Sequence, residues 1–307
     1  MLKYIVKRLL IGCVTLFILA TITFFGVKAM PGDPFTQDNK VMSKETYAAL
    51  EAKYGLDKPV GEQYIIYLNN ALHGDFGESL SKKGQQVSDI IIRRAPVTAK
   101  LGIVAFFLAI IVGLTLGIVS ALTKKRWVNS VITAFATFGV SIPGFLFAMI
   151  MMYIFGVKLH LLPVMNLETP KHYIMPSIAL SLSSISMITR LTRSSLRDEM
   201  HKDYITLARS KGTKEIGVII KHGLKNALLP VITYCGPMFA GLVTGSMVIE
   251  TLFTIPGIGA EFTKSITNRD YTLVMGLTLF FGAIVIVMNL VSDIVAAIVD
   301  PRIKLGK

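Results

Sequence analysis

Apolar residues in this chain come in long unbroken runs. Residues 9–27 and 101–123 carry no charge, and 128–157 is uncharged over more length than one bilayer crossing needs. Three further runs, 174–189, 226–249 and 271–292, complete a set of six. An α-helix needs roughly 20 residues to cross a bilayer core, so the pattern predicts an all-α membrane protein with six transmembrane helices. Pro143-Gly144 lies inside the third run, and the missing amide donor predicts a kink or interruption there. Pro230 and Pro237 predict bends in the fifth. The first run exceeds the apolar stretch of roughly 7 to 15 residues found in signal peptides and lacks a small-x-small cleavage site after it, so it reads as an uncleaved anchor.

Composition agrees: the 307 residues are 52% hydrophobic, more than a soluble globular chain usually carries. The net charge of +13, from 32 basic and 19 acidic residues, would suit a nucleic-acid binder only if it covered one face of a fold. Here the basic residues gather at the ends of the apolar runs, so no nucleic acid is expected as a partner, and a lipid bilayer is. Lys3, Lys7 and Arg8 precede the first run, and Lys124, Lys125 and Arg126 follow the second. Nine basic residues against four acidic ones fill 190–225, and Lys304 and Lys307 end the chain. With six crossings these clusters fall on one side, which places both termini in the cytoplasm. The stretch 31–96 balances eight basic residues with nine acidic ones and reads as an outer excursion with one or two short helices around Tyr64, Ile65, Tyr67 and Leu68. The expected organisation is an anchor helix at 1–30, the excursion at 31–96, a five-helix core at 97–300 and a cytoplasmic tail at 301–307.

Chemistry is sparse. There is no phosphate cradle of the G-x-x-x-x-G-K-[ST] type, and Gly257-Ile258-Gly259 lacks the third glycine and the strand context of a dinucleotide turn. The five histidines never form an H-E-x-x-H pair, and Cys13 and Cys235 both lie in apolar runs. No cofactor or metal bound by this chain is therefore expected, and no catalytic residues. No run carries the interior acidic or lysine side chain of an ion relay, which argues against a gradient-driven transporter. Energy must then enter elsewhere, and the basic loop is where it can. Gly212 permits a turn, Thr213 is a candidate N-cap, and Ile216, Ile219 and Ile220 share a helical face with Lys214, Lys221 and Lys225 on another. Such a helix can dock in a groove on a partner or lie on anionic headgroups.

Ala208-Arg209-Ser210-Lys211-Gly212 followed by Asn226-Ala227-Leu228-Leu229-Pro230 resembles the coupling segment of bacterial ABC importer permeases of the peptide-moving branch. One departure is Thr206-Leu207-Ala208, where the general importer pattern reads Glu-Ala-Ala. The likeness covers the chain. It extends to Pro31-Gly32-Asp33-Pro34, to His73-Gly74-Asp75-Phe76-Gly77-Glu78-Ser79 with Arg94, Pro96 and Thr98, and to Gly245-Ser246-Met247-Val248-Ile249-Glu250-Thr251. Ile255-Pro256-Gly257-Ile258-Gly259, Asn268-Arg269-Asp270-Tyr271 and Asp300-Pro301-Arg302 complete it. It is nearest to the B-type subunit of oligopeptide permeases.

The resemblance implies the type I importer permease fold, with a cytoplasmic coupling helix in 198–225 between crossings four and five. It implies a second homologous permease as a heterodimer partner, two cytoplasmic ATPase subunits that hold ATP and magnesium, and an extracellular solute-binding protein that delivers oligopeptides. Related machines move dipeptides, nickel complexes or glutathione. Tyr204, Ala208, Arg209, Lys211, Gly212, Ile216, Ile219 and Ile220 would contact the ATPase. Ser177, Ser181 and Ser184, near one face of the fourth run, would either line the peptide pathway or serve helix packing. Glu250 has two readings, contact with a peptide amino terminus or an ion pair with Arg269 or Lys264. Gly113 with Gly117, and Gly241 with Gly245, read as helix contacts, and Arg190, Arg193 and Arg197 as a stripe that anchors to headgroups in preference to touching the ATPase.

Overall fold

The structure, a computed structural model, describes residues 2–30 and 44–299. The motifs at 31–34 and 300–302 and the tail lie outside the described residues. Helix α1 (Leu2–Lys28) contains the first run, and the excursion carries α2 (Lys44–Tyr54) and α3 (Val60–Leu72). Helix α4 (Val87–Leu122) begins well before the second apolar run and carries Pro96 within it. The excursion thus ends in helix, earlier than composition suggested.

The third run divides as its proline predicts. After α5 (Arg126–Ser141), Ile142 and Pro143 take extended backbone, and α6 (Gly144–Met151) leaves at 106° to α5 before a π-helical stretch, Met152–Lys158. Proline fixes its own φ and pushes the preceding residue out of the helical region, so the break falls at this dipeptide. Helix α7 (Pro170–Glu199) starts on a Thr169–His172 capping box and runs past both ends of the fourth run. A cluster of short elements follows: α8 (Asp203–Ser210), α9 (Glu215–Gly217), a π-helical stretch (Val218–Leu224) and α10 (Lys225–Ala227). The fifth run is α11 (Leu229–Thr244) and α12 (Met247–Leu252), broken at Gly245, whose φ of 83° is open chiefly to glycine. Then come α13 (Ile258–Thr267) and α14 (Tyr271–Val299). Among the described residues five helices are long and apolar enough to cross a membrane, or six if α5 and the bent continuation Gly144–Lys158 form one broken crossing.

Helices α4 and α7 pack along the centre of the chain. Ala105 and Ala109 of α4 meet Ile185 and Ile188 of α7 and Val231, Met238 and Leu242 of α11 in one buried cluster. Small side chains bring the backbones close: a Cβ built on Gly113 would fall within 3.0 Å of Ile188, and one on Gly117 within 3.0 Å of Thr192. The Thr189 hydroxyl donates to the Ile185 carbonyl at 2.7 Å and reaches the Gly113 carbonyl at 3.3 Å. Lipid tails offer no hydrophobic drive for helix pairing, so close packing of this kind must supply it. Gly241 differs from the expectation, with nothing within 4 Å of its would-be Cβ, and Gly245 serves a turn instead of a helix contact.

Alanine at Gly113 or Gly117 is expected to overpack this seam and cost about 1–3 kcal/mol, read as a lower thermal midpoint of the detergent-purified protein. Gly241→Ala is expected to leave the midpoint unchanged.

Candidate functional site

Residues 199–228 fold into a compact knuckle at one end of α7. Ile205, Ala208 and Val218 are buried together against Met200 and Tyr204. Helix α8 ends in a Schellman turn: the Gly212 amide donates to the Arg209 carbonyl at 2.9 Å, and the Thr213 amide to the Ala208 carbonyl at 3.3 Å, with Gly212 at φ 78°. Arg209 then clamps Glu215 with two nitrogen–oxygen contacts of 3.1 and 2.6 Å, and this hydrogen-bonded guanidinium holds the Glu215 carboxyl below its usual range. Tyr204 joins three elements. Its hydroxyl donates to Glu199 at the end of α7 and accepts from the Asn226 side-chain amide of α10 at 3.0 Å.

Of the residues expected to couple, Arg209, Lys211 and Gly212 are exposed, as are Ile216 at 69% and Ile220 at 57%. Ile219 is half-buried, and Ala208 belongs to the knuckle's own core. The predicted apolar stripe is therefore split, because the chain changes to π-helical winding at Val218 and turns that residue and Gly223 inward. The N-cap of α9 is Lys214, not Thr213, since the Thr213 amide is spent on the Schellman turn and no side chain caps α9.

At the other end, three carboxylates knot the excursion to the loops around α12–α14. Glu250 is fully buried. It accepts from the Thr98 hydroxyl of α4 at 2.9 Å, from the Ala260 amide at 2.9 Å and from the Gly259 backbone, while Thr98 Oγ1 accepts from the Ile258 amide at 2.8 Å. The first amides of α13 are thus satisfied by side chains from α12 and α4, with a negative charge at the positive end of the helix dipole. Gly245, Gly257 and Gly259 wall this cage; a Cβ at Gly245 or Gly257 would overlap the carboxylate and Thr98. Neither Arg269 nor Lys264 pairs with Glu250, a correction whose cause is the neighbouring glycines: without side chains they admit amides where the sequence suggested a cation.

Asp270 caps α14 by accepting from the Leu273 amide at 3.1 Å, and it also gathers the Ser79 and Ser81 hydroxyls at 2.5 and 2.7 Å and the Leu80 and Ser81 amides at 3.0 and 3.1 Å. Burial alone would raise this carboxyl, but those donors outweigh it and hold it below its ordinary value. Glu261 of α13, buried to 3% exposure, pairs with Lys82 and stands 3.7 Å from Arg94, which also donates to the Pro256 carbonyl at 3.1 Å. Glu261 and Lys82 were not legible as partners, since 179 positions separate them.

Ser177, Ser181 and Ser184 are buried at 1%, 0% and 6% exposure within the chain's own packing. Together with Glu250 they are closed to a passing peptide in this conformation, because α4, α6 and α12 press on the same stretch of α7. No group of three or more His, Cys, Asp or Glu able to hold a metal occurs among the described residues.

Residues 113–305 match the family described as binding-protein-dependent transport system inner membrane component, and residues 1–102 match its N-terminal companion. The oligopeptide transport system permease protein OppB of Haemophilus influenzae is 43% identical over 99% of this chain and 100% of its own length, and that of Escherichia coli K12 is 44% identical over the same shares. The dipeptide transport system permease protein DppB of Bacillus subtilis is 40% identical over 100% of this chain and 99% of its own. Among solved structures, the inward-facing MetNI methionine ABC transporter aligns with a TM-score of 0.55 at 18% identity, over 68% of this chain and 96% of its own.

A carboxyl lowered by folding binds fewer protons folded than unfolded, so the stability Asp270 contributes is complete above its ordinary value of 3.8 and is lost as pH falls below it. On acidification from about pH 5 to about pH 3 the wild type is expected to lose thermal stability more steeply than Asp270→Asn. At neutral pH that variant is expected to melt lower, by the worth of a hydrogen bond to a charged group, about 1.5–3 kcal/mol.

Proposed function

Since this chain belongs to the family of binding-protein-dependent transport system inner membrane components and is a permease subunit of an ABC importer, we propose that it imports oligopeptides with ATP hydrolysed by separate subunits docked on the knuckle. The full-length likeness to oligopeptide permeases supports the substrate class. The observation that carries the coupling is the knuckle's division of labour: its own core is closed by Ile205 and Val218, while Ile216 and Ile220 stand fully presented beside a rigid glycine turn. Apolar side chains held four residues apart on a preformed surface suit a groove on a partner.

A push on this surface has a path into the membrane. The Arg209–Glu215 clamp keeps α8 and α9 from sliding, and Tyr204 ties them to α7 through Glu199 and to α10 through Asn226. The knuckle then moves as one lever on two crossings, the rigid-body switching that alternates access. In this reading the clusters of positive charge, both termini among them, face the cytoplasm. The carboxylate knots face a binding protein that delivers peptide, and a second homologous permease completes the pathway. In the same reading residues 1–30 anchor the chain, 31–96 form the outer excursion, 97–300 the core and 301–307 the tail. Dipeptides are the second reading, favoured by the 40% identity to a dipeptide permease.

Two variants test the lever in the reconstituted complex. Gly212→Val forces a branched side chain into the left-handed region, at about 1–2 kcal/mol, and is expected to abolish peptide uptake while membrane insertion stays normal. Ile216→Asp with Ile220→Asp is expected to release the ATPase subunits on co-purification. Full uptake with the ATPases retained in the double variant would overturn the coupling role.

A further inference from the structure

Where α4, α5 and α7 converge near the knuckle, a cavity of about 160 Å³ opens between Ser120, Ile132, Thr133, Ala136, Thr137, Thr189, Arg190 and Arg193. No acidic side chain lines it, and neither arginine has an ion-pair partner among the described residues. Of the four hydroxyls that line it, three are accounted for. Ser120 donates to the Asn129 side chain at 2.7 Å, Thr189 donates to the Ile185 carbonyl, and Thr137 donates to the Thr133 carbonyl at 2.9 Å. The Thr133 hydroxyl is buried and bonds to nothing. A buried hydroxyl without a partner is costly, and here it shares a cavity with two uncompensated guanidinium groups.

We propose that this cavity binds the phosphate headgroup of an anionic phospholipid. Guanidinium groups match phosphate oxygens in fork geometry, and the Thr133 hydroxyl supplies the third donor. The volume is below the roughly 300–1,000 Å³ of pockets that enclose whole drug-sized ligands, so it takes a headgroup and leaves acyl chains outside. The cavity's depth fits as well. Trp127, 67% exposed at the start of α5 beside Lys124, Lys125 and Arg126, is the amphipathic ring that settles at headgroup level, and basic pockets between membrane helices at that level hold lipid phosphates. The inference rests on the membrane placement of the chain, and does not depend on which solute it moves.

The test reconstitutes the full importer in nanodiscs of phosphatidylcholine doped with phosphatidylglycerol and counts retained lipid by native mass spectrometry. Wild type is expected to retain phosphatidylglycerol in preference to phosphatidylcholine. Arg190→Gln with Arg193→Gln is expected to reduce that retention by about tenfold or more, equivalent to about 1.4 kcal/mol or more. Thr133→Val, which keeps both charges and the side-chain shape, guards against a double variant that fails to assemble and is expected to weaken retention by a smaller factor. Lys171→Gln, at the opposite end of the same helix and outside the cavity, is expected to match wild type. Equal retention by wild type, the double variant and Thr133→Val would overturn the site. Displacement of the lipid by inorganic phosphate, with the same dependence on Arg190 and Arg193, would keep the anion site and overturn its assignment to lipid.

Discussion

A backbone amide or carbonyl without a partner in hydrocarbon costs several kcal/mol, and this constraint governs how the chain departs from straight helices. Three helix ends show how the interruptions are closed. After the break at Gly245 the Ser246 hydroxyl accepts from the Ile249 amide to start α12, and where α13 begins Glu250 and Thr98 take up its first amides. Asp270 does the same for α14. At the knuckle the Schellman turn around Gly212 returns two amides to the end of α8. Glu250 and Asp270 are held as acceptors for helix ends, which accounts for their burial without a cationic partner.

The two ends of the molecule are built to different mechanical ends. Around Glu250, Asp270 and Glu261, charged hydrogen bonds link residues far apart in sequence into a stiff collar. Around the knuckle, most contacts are local, and it meets α7 through the Tyr204 hydroxyl, the Lys202–Glu199 ion pair and the packing of Gly223 against Leu196 and Met200. Between them α4 and α7 lie so close that a shift of one carries the other. A small displacement at the knuckle can therefore reach the collar through packed helices, which respond as rigid bodies.

Sequence made the crossings legible because twenty uncharged residues in a row have few other uses. The break at Pro143 was visible because proline acts on its immediate neighbours. The collar was not visible as a structure, although its motifs were. Thr98 and Glu250 are 152 positions apart, and nothing in either segment tells an amide-capping carboxylate from one awaiting a lysine. Glycines at 245, 257 and 259 were the missed signal, since a carboxylate flanked by residues without side chains has backbone as its nearest neighbour. Likewise the isoleucine stripe read correctly as unpartnered surface at Ile216 and Ile220 but not at Ile219, because helical spacing assumes α winding and the chain turns π-helical at Val218.

The long-range ties of the collar join residues 1–102 to residues 113–305. Ser79, Ser81, Lys82, Arg94 and Thr98 come from the first block, and Glu250, Pro256, Glu261 and Asp270 from the second. The blocks are therefore key and ward of one lock. A chimera that joined the first block of one relative to the second block of another would insert both halves correctly and still fail wherever their teeth differ, so recombination within this chain succeeds only where the collar is exchanged whole.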